Sequence, residues 1–331
     1  MEIEKGIKYF EEAIAACIEY CNSNLTEAGH STIDIAYDIA SDSSVGGTSS
    51  YNGEKYLIEI NYGVLKKIND IYAILLHKNN ESFYQKISLE QTFDDYKADF
   101  YLSLLVEESL KIVIFHELAH VLNGHLKYLY QNSSEKVNLN LINEDNNELE
   151  PLFSQALEMN ADAFAATHCI SMLTFPKSIY MRNEQCQGLI KNKSHAYLIF
   201  YIASGILFSE LGMSNPRESK PLNELYYLPL RTRYDTMIRC STNAYFKLNP
   251  EQSSDSEFLN HEFLREMSSN TELYHSMLRV KQGGSNLNFD IKNNIEEISE
   301  EYINHADEIF RYWSNTVREP LLKHTIFDLP K

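Results

Sequence analysis

Residues 115–125 read FHELAHVLNGH and contain the motif H-E-x-x-H within a stretch that has the apolar pattern of a helix. At about 100° per residue, His116 and His120 lie about 40° apart on one face of such a helix, one turn above the other. Two imidazoles in this arrangement can both bind one Zn²⁺ at about 2.0–2.1 Å. Glu117 lies beside them and is placed to act as a general base. The motif therefore predicts a zinc site with hydrolytic chemistry.

The helix that carries the motif is expected to begin near Asp99 or Tyr101 and to run to Leu122 or beyond. Residues 102–114 are apolar over most of the helix circumference, which is typical of a central, buried helix. Burial of this helix would hold the two histidine side chains in fixed rotamers.

A zinc site needs at least a third protein ligand, and His125 is the nearest candidate. It follows His116 by nine residues, so the two lie about 180° apart if the helix simply continues. A break at Asn123-Gly124 could bring His125 round, because both residue types favour the C-terminal caps of helices. We expect His125 to cap the helix or to support a ligand, and direct ligation is the alternative.

A second predicted helix, over residues 156–166, offers a better third ligand. Glu158 and Asp162 are four residues apart, so they lie on the same face of that helix. We expect Glu158 to bind the metal and Asp162 to accept a hydrogen bond from the outer ring nitrogen of His116 or His120. An ordinary solvated acidic face is the alternative. The small apolar residues around the pair, and the lack of a basic residue one turn away, argue against it.

H-E-x-x-H at 116–120 with E-x-x-x-D at 158–162 resembles the gluzincin pattern of two-helix zinc peptidases. Residues 116–128, taken with residues 157–165, are similar to the Lit-type phage-exclusion peptidases and also to the repressor-cleaving peptidases of mobile elements. The resemblance covers only these segments of the 331 residues. It implies a cytoplasmic endopeptidase that acts in phage defence or in the regulation of a mobile element.

Composition sets the limits of this interpretation. A chain of 331 residues with 44% apolar residues can bury a large core, either as one domain or as lobes over residues 1–130 and 131–331. The net charge of −18 argues against nucleic acid and anionic membranes as partners. Five scattered cysteines without C-x-x-C, and an acidic N-terminus without a signal pattern, indicate a cytoplasmic protein. Cys17 and Cys21, one helical turn apart, are expected in the core rather than on a metal.

The remaining patterns predict an α+β fold that is mostly helical and zincin-like. A helix over residues 1–22 precedes strands at 32–38 and 55–62, with a Ser/Gly-rich loop over 41–53 and a helix over 63–78. This small sheet would pack on the active-site helix. Residues 131–149 are expected to form a surface loop, or a loop over the cleft. The half after residue 176 is expected to be largely helical, with a polar segment over 250–295 and a last helix over 287–317.

Residues 196–209 form an uncharged run of fourteen residues, which is shorter than the about 20 needed to span a membrane. We therefore expect a buried core helix there. An oxyanion formed during catalysis would need a stabilising group, and His195, Tyr227 and Arg233 are the candidates. Pro229 followed by Arg233 loosely resembles the related peptidases, although Leu228 stands where that family has a histidine. A structural salt bridge is the alternative role for Arg233.

Together these observations predict an endopeptidase with one Zn²⁺ per chain, held by His116, His120 and Glu158, with Glu117 as the general base. Its partners would be a protein substrate and an activator or inhibitor protein. The alternatives are a non-catalytic binding protein with a structural metal, and a zinc hydrolase of small molecules. A closed site with four protein ligands would favour the structural metal.

Overall fold

The computed structural model describes residues 3–133, 137–140, 150–174, 189–211, 221–225, 227–248 and 291–326. Most of these residues are helical, and they accompany one small mixed sheet, which confirms the predicted α+β class. The strands are β1 (Ile35–Ala40), β2 (Gly47–Tyr51), β3 (Tyr56–Asn61) and β4 (Val137–Asn140). The main helices are α1 (Ile3–Glu27), α2 (Tyr62–Leu75), α3 (Glu81–Ser88), α4 (Asp95–Leu122), α5 (His125–Ser133), α6 (Pro151–Thr174), α7 (Lys193–Leu211), α8 (Leu230–Leu248) and α9 (Ile291–Tyr312).

Helix α4 is the centre of the fold, and it packs against α1, α2, α6 and α7. It begins earlier than predicted, because the carboxylate of Asp94 accepts a hydrogen bond from the backbone N–H of Lys97 at 3.2 Å and caps the first turn. From residue 108 to residue 122 every side chain is buried. Each fully buried Leu or Ile in this stretch contributes about 1.5–3 kcal/mol through removal of apolar surface from water. The residues of the H-E-x-x-H motif are therefore held by a packed core on all sides.

The end of α4 is fixed by contacts with the C-terminal segment. Gly124 adopts φ 79°, a left-handed conformation that stops the helix and lets α5 start at once in a new direction. The backbone N–H of Ile326 donates to the carbonyl of Leu122 at 2.9 Å. A Cβ at position 124 would lie 2.5 Å from the carbonyl carbon of His324, so only glycine fits this close approach. The helix therefore breaks at Asn123-Gly124, where the sequence had made a break possible.

The sheet has the strand order β1-β3-β2-β4, with β1 parallel to β3 and the other pairs antiparallel. The predicted strands at 32–38 and 55–62 correspond to β1 and β3. The predicted loop over 41–53 is wrong, because β2 lies inside it. Strand β2 reads GTSSY and shows no alternation of apolar and polar residues. Its small side chains lie against α4 rather than in an apolar layer of the core. The predicted loop over 131–149 is wrong at its start, where α5 ends and β4 follows, and residues 141–149 lie outside the described residues.

The C-terminal half supplies the helices that enclose α4. Helix α7 contains the uncharged run and is buried among the other helices, and no helix of the described residues is long and apolar enough to cross a membrane. One continuous cluster of buried apolar side chains extends from Phe10 on α1 to Leu321. Cys17 and Cys21 belong to this cluster, and burial raises the pKa of both thiols, as expected for core residues. Cys186, and residues 250–290 of the predicted polar segment over 250–295, lie outside the described residues.

Candidate metal centre

The packing of α4 against α6 brings three potential metal ligands together. His116 and His120 come from one face of α4, and Glu158 comes from the facing side of α6. All three side chains are buried, and their ligand atoms lie within 4.8 Å of one another. This buried group could hold a metal ion.

The spacing of the donor atoms fits a tetrahedral ion. His116 Nε2 and His120 Nε2 are 3.2 Å apart, Glu158 Oε2 is 3.4 Å from His116 Nε2, and Glu158 Oε1 is 3.5 Å from His120 Nε2. Two ligands bound at about 2.0–2.1 Å to a tetrahedral zinc lie about 3.3–3.4 Å apart. No large movement of the three side chains is needed to accommodate such an ion.

The charge of the site also fits a divalent cation. Three acidic side chains and one arginine are buried together: Glu117, Glu158, Asp162 and Arg233. In the protonation state that could bind a metal, with both imidazoles neutral and all three carboxyls ionised, these groups carry a summed charge of −2. A buried excess charge is costly unless a counter-charge is present. A divalent cation would provide that counter-charge.

Asp162 lies behind His116 and fixes its orientation. His116 Nδ1 donates to Asp162 Oδ1 at 2.9 Å, which turns His116 Nε2 toward the ligand group. Arg233, from α8, donates to both oxygens of Asp162 at 2.8 Å, and its Nη1 lies 3.3 Å from Glu158 Oε2. Although burial opposes ionisation, Arg233 holds the pKa of Asp162 below its ordinary value. Asp162 is therefore an anion that two donors hold in place.

A different group lies behind His120. Its Nδ1 is 2.8 Å from Nδ1 of His125, and Nε2 of His125 is 3.0 Å from Oδ1 of Asn160. The amide of Asn123 also donates to Asn160 Oδ1, at 2.7 Å. These side chains form a chain of neutral polar groups from the end of α4 to the middle of α6. His125 thus lies behind a ligand, beyond the three donor atoms that face one another.

The two histidine ligands have different protonation in the metal-free protein. Burial disfavours the imidazolium of His116, but the Glu158 carboxylate and the Asp162 hydrogen bond outweigh it and raise the pKa of His116 to about 9. Burial, together with the neighbouring charge of His116, holds the pKa of His120 well below its ordinary value. Burial lowers the pKa of His125 to about 3. His120 and His125 are therefore neutral, whereas His116 must release a proton before it can bind a metal.

Glu117 lies beside the ligand group and is fully buried. Neither of its carboxylate oxygens has a hydrogen-bond partner among the described residues, and the nearby hydroxyl of Ser49 makes no completed hydrogen bond either. Burial raises the pKa of Glu117 to about 7, although the charge of His116 and the Ser49 hydroxyl partly oppose this shift. Strand β2 approaches closely, since a Cβ on Gly47 would lie 3.1 Å from Cγ of Glu117. A carboxyl group that titrates near neutral pH can both accept and return a proton.

His195 and Tyr227 are the other two candidates for oxyanion stabilisation. His195, in the first turn of α7, accepts a hydrogen bond at Nδ1 from the backbone N–H of Lys191 at 3.0 Å, and its Nε2 donates to the carbonyl of Ile87. Nε2 therefore joins α7 to α3, and Nδ1 is used by the backbone just before α7. Tyr227 lies in the bend before α8 and is half-buried. Of the three candidates, only Arg233 contacts the ligand group, where it forms the salt bridges described above.

Three features of the site were missed from the sequence. Asn160 has no motif, and its only signal is a polar residue within an apolar helix segment. Gly47 and Ser49 lay in a predicted loop, although they line Glu117. The basic partner for the acidic residues of α6 also comes from a distant helix rather than from one turn away, so helix spacing could not identify it.

Comparison with models of protein families, with curated proteins and with solved structures gives no match to this chain. The case for function therefore depends on the geometry and chemistry of the site.

Proposed function

We propose that this chain is a zinc-dependent endopeptidase with a zincin-like active site. The observation that carries the proposal is the buried His116–His120–Glu158 group, with the carboxyl of Glu117, which has no hydrogen-bond partner among the described residues, beside it. Three protein ligands leave a fourth position open, as in catalytic rather than structural zinc sites. A carboxyl group beside this position that has no other partner is suited to proton transfer.

The chain's own residues have separate roles in this proposal. When bound, Zn²⁺ would act as a Lewis acid and lower the pKa of a water in its open position. Glu117 accepts the proton of the attacking water and delivers it to the leaving amine. Asp162 and Arg233 hold His116 in orientation, and they do so before any substrate arrives. Arg233 is committed to carboxylates in the metal-free protein, so we assign it orientation of the ligands rather than oxyanion binding.

A peptide substrate is supported by the neighbouring sheet. Strand β2 lies directly against Glu117, and its neighbour β4 is an outer strand among the described residues, where an extended peptide could add as a further strand. The resemblance to phage-exclusion peptidases leads us to propose an intracellular protein as the substrate, in phage defence or mobile-element regulation. An activating or inhibiting partner protein belongs to the same proposal.

A second candidate function also has an observation in its favour. The exposed fractions of His116, Glu117, His120 and Glu158 are between 0% and 6%, which is typical of a closed structural site. In that case the chain would be a non-catalytic binding protein that uses zinc for stability. The two candidates differ in whether Glu117 matters once the metal is bound.

The test combines metal content with proteolysis. Elemental mass spectrometry of the purified protein should find about one zinc per chain in the wild type and in Glu117→Gln, and none in Glu158→Ala. Labelling of new N-termini in a cell lysate should then find cleavage products with the wild type that are missing with Glu117→Gln. Glu11→Gln, an exposed change on α1, serves as the control. Zinc binding without any cleavage dependent on Glu117 would favour the structural alternative, and the lack of zinc binding would reject both.

A further inference from the structure

The two histidine ligands are supported in different ways. Behind His116 lies a carboxylate, Asp162, which can only accept a hydrogen bond. Behind His120 lies the ring of His125, which can either donate or accept at Nδ1 depending on its tautomer. The direction of the hydrogen bond between His120 and His125 therefore determines which nitrogen of His120 carries the proton.

Only one direction is compatible with metal binding. If His120 Nδ1–H donates to His125 Nδ1, then His125 Nε2–H donates to Asn160 Oδ1, and the lone pair of His120 Nε2 faces the ligand group. If the direction is reversed, His125 Nδ1–H donates to His120 Nδ1. The proton of His120 then resides on Nε2, where a metal would bind. A reversed chain would also require the amide of Asn160 to present its NH₂ group to His125.

The position of Asn123 favours the first direction. Its amide nitrogen donates to Asn160 Oδ1 at 2.7 Å, so that oxygen is the acceptor for both Asn123 and His125. The same direction suits the contact between the two ligands, because His120 Nε2 can then accept a hydrogen bond from His116 Nε2 at 3.2 Å in the metal-free protein. Each hydrogen bond in the chain that links Asn160, His125, His120 and His116 then has one donor and one acceptor.

We propose that His125 and Asn160 are positioning residues that hold His120 in the tautomer required for metal binding. The inference rests on the proposed metal site and deepens it. In this role His125 accepts a hydrogen bond from His120 and donates one to Asn160, and it does so as a neutral ring. The turn at Gly124 brings His125 to this position, where its fully buried ring contacts the edge of Trp313 at 6.5 Å between ring centroids.

This requirement can be tested by replacing the ring with an amide. A glutamine at position 125 can accept at its oxygen and donate at its nitrogen, whereas a leucine can do neither. In a chelator-competition titration with zinc, His125→Leu should bind about 10–100 times more weakly than the wild type, the usual loss when the partner of a metal-bound histidine is removed. His125→Gln should bind zinc close to the wild-type affinity. Equal affinities of the Leu and Gln variants would overturn the inference.

A second pair keeps the test valid if His125→Leu does not fold. Asn160→Asp retains the acceptor for His125 and should bind zinc at least as tightly as the wild type, whereas Asn160→Leu should lose about 10–100-fold. Equal affinities in this pair would also overturn the inference. His305→Leu is the matched control, since His305 is a buried imidazole whose Nε2 hydrogen-bonds to Oε1 of Gln155, also on α6. It should leave zinc affinity unchanged.

Ring ¹⁵N spectra of the metal-free protein provide a readout that a purely structural role would not move. The wild type and His125→Gln should show His120 protonated at Nδ1, and Asn160→Leu should show a mixture of tautomers. A wild-type protein that binds no zinc would refute the proposed function instead, and the ¹⁵N spectrum would still report the tautomer. A mixture of tautomers in the wild type would refute the positioning role by itself.

Discussion

Replacing Glu117 by glutamine tests the energetic consequence of placing a proton acceptor in a closed core. The carboxyl of Glu117 is 0% exposed and has no hydrogen-bond partner among the described residues, so the charged form is poorly stabilised. Burial raises its pKa from the ordinary value of 4.5 to about 7. The folded protein therefore binds this proton more tightly than the unfolded chain does. Its stability must decrease as the pH rises between these two values.

The size of the effect follows from the two pKa values. A pKa of about 7 in the folded state against 4.5 in the unfolded state corresponds to a loss of about 3 kcal/mol, complete above pH 7. Glutamine has nearly the same shape and does not ionise. Its own packing and hydrogen-bonding differences are the same at every pH. We therefore expect the stability of Glu117→Gln relative to the wild type to rise by about 2–3 kcal/mol between pH 5 and pH 8.

The assay is urea unfolding of the metal-free proteins, with a chelator present, at pH 5, 6, 7 and 8. Glu11→Gln, which removes an exposed carboxyl on α1, should show no such pH dependence relative to the wild type. In the zinc-loaded proteins the difference between wild type and Glu117→Gln should shrink, because the cation stabilises the Glu117 carboxylate. A stability difference that stays constant from pH 5 to pH 8 would show that the pKa of Glu117 is not raised by burial. Glu117 would then be ionised throughout this range and could not return a proton as a base must.

Three further outcomes are expected. Because the pKa of His116 is raised to about 9, zinc binding near pH 8 should release about one proton from this residue. For the same reason, zinc affinity should rise with pH up to about 9. Calorimetry in buffers of different ionisation enthalpy measures both the proton release and the affinity. Gly29→Ala should lower the free energy of unfolding by about 1–2 kcal/mol from its positive φ alone, because the added Cβ meets no atom within 4 Å. Gly124→Ala should lower it by clearly more, because the added Cβ would also clash with the backbone of His324. Arg233→Met should lower the free energy of unfolding in urea by about 3–5 kcal/mol, because it leaves the buried carboxylates of Glu158 and Asp162 without their cation. Arg239→Met breaks an exposed ion pair and should lower it by less than about 1 kcal/mol.

The parts of the site that lie on a single helix could be predicted from the sequence, because helix geometry fixes the relation between residues three or four positions apart. His116 and His120 on α4, and Glu158 and Asp162 on α6, are related in this way. The meeting of the two helices was an assumption drawn from the chemistry of zinc, which needs a third ligand. The position of His195 shows the limit of such reasoning. Its residue type suits catalysis, but its two ring nitrogens form hydrogen bonds with the backbone of Lys191 and of Ile87.

Strand β2 was missed for a related physical reason. Prediction of strands depends on alternating apolar residues, which report burial against an apolar layer. Gly47 and Ser49 are buried against the Glu117 region instead, where small side chains allow the strand to approach α4. The pattern that would have identified the strand is therefore weakest where the sheet contributes to the site. Similarly, Arg233 could be named as a candidate, but its salt bridge with Asp162 depends on how α8 packs on α6.

The same residues that favour a metal are unfavourable to folding without one. Glu117 has no hydrogen-bond partner among the described residues, and the carboxylates of Glu158 and Asp162 share the buried guanidinium of Arg233. Each of these arrangements costs free energy in a core that could have been filled by apolar side chains. A divalent cation would reduce these penalties together, because the two imidazoles and Glu158 could become its ligands and its charge would offset the buried carboxylates. Stability alone gives no reason to place these groups in the central helix of the fold. The metal proposed for this site would give one.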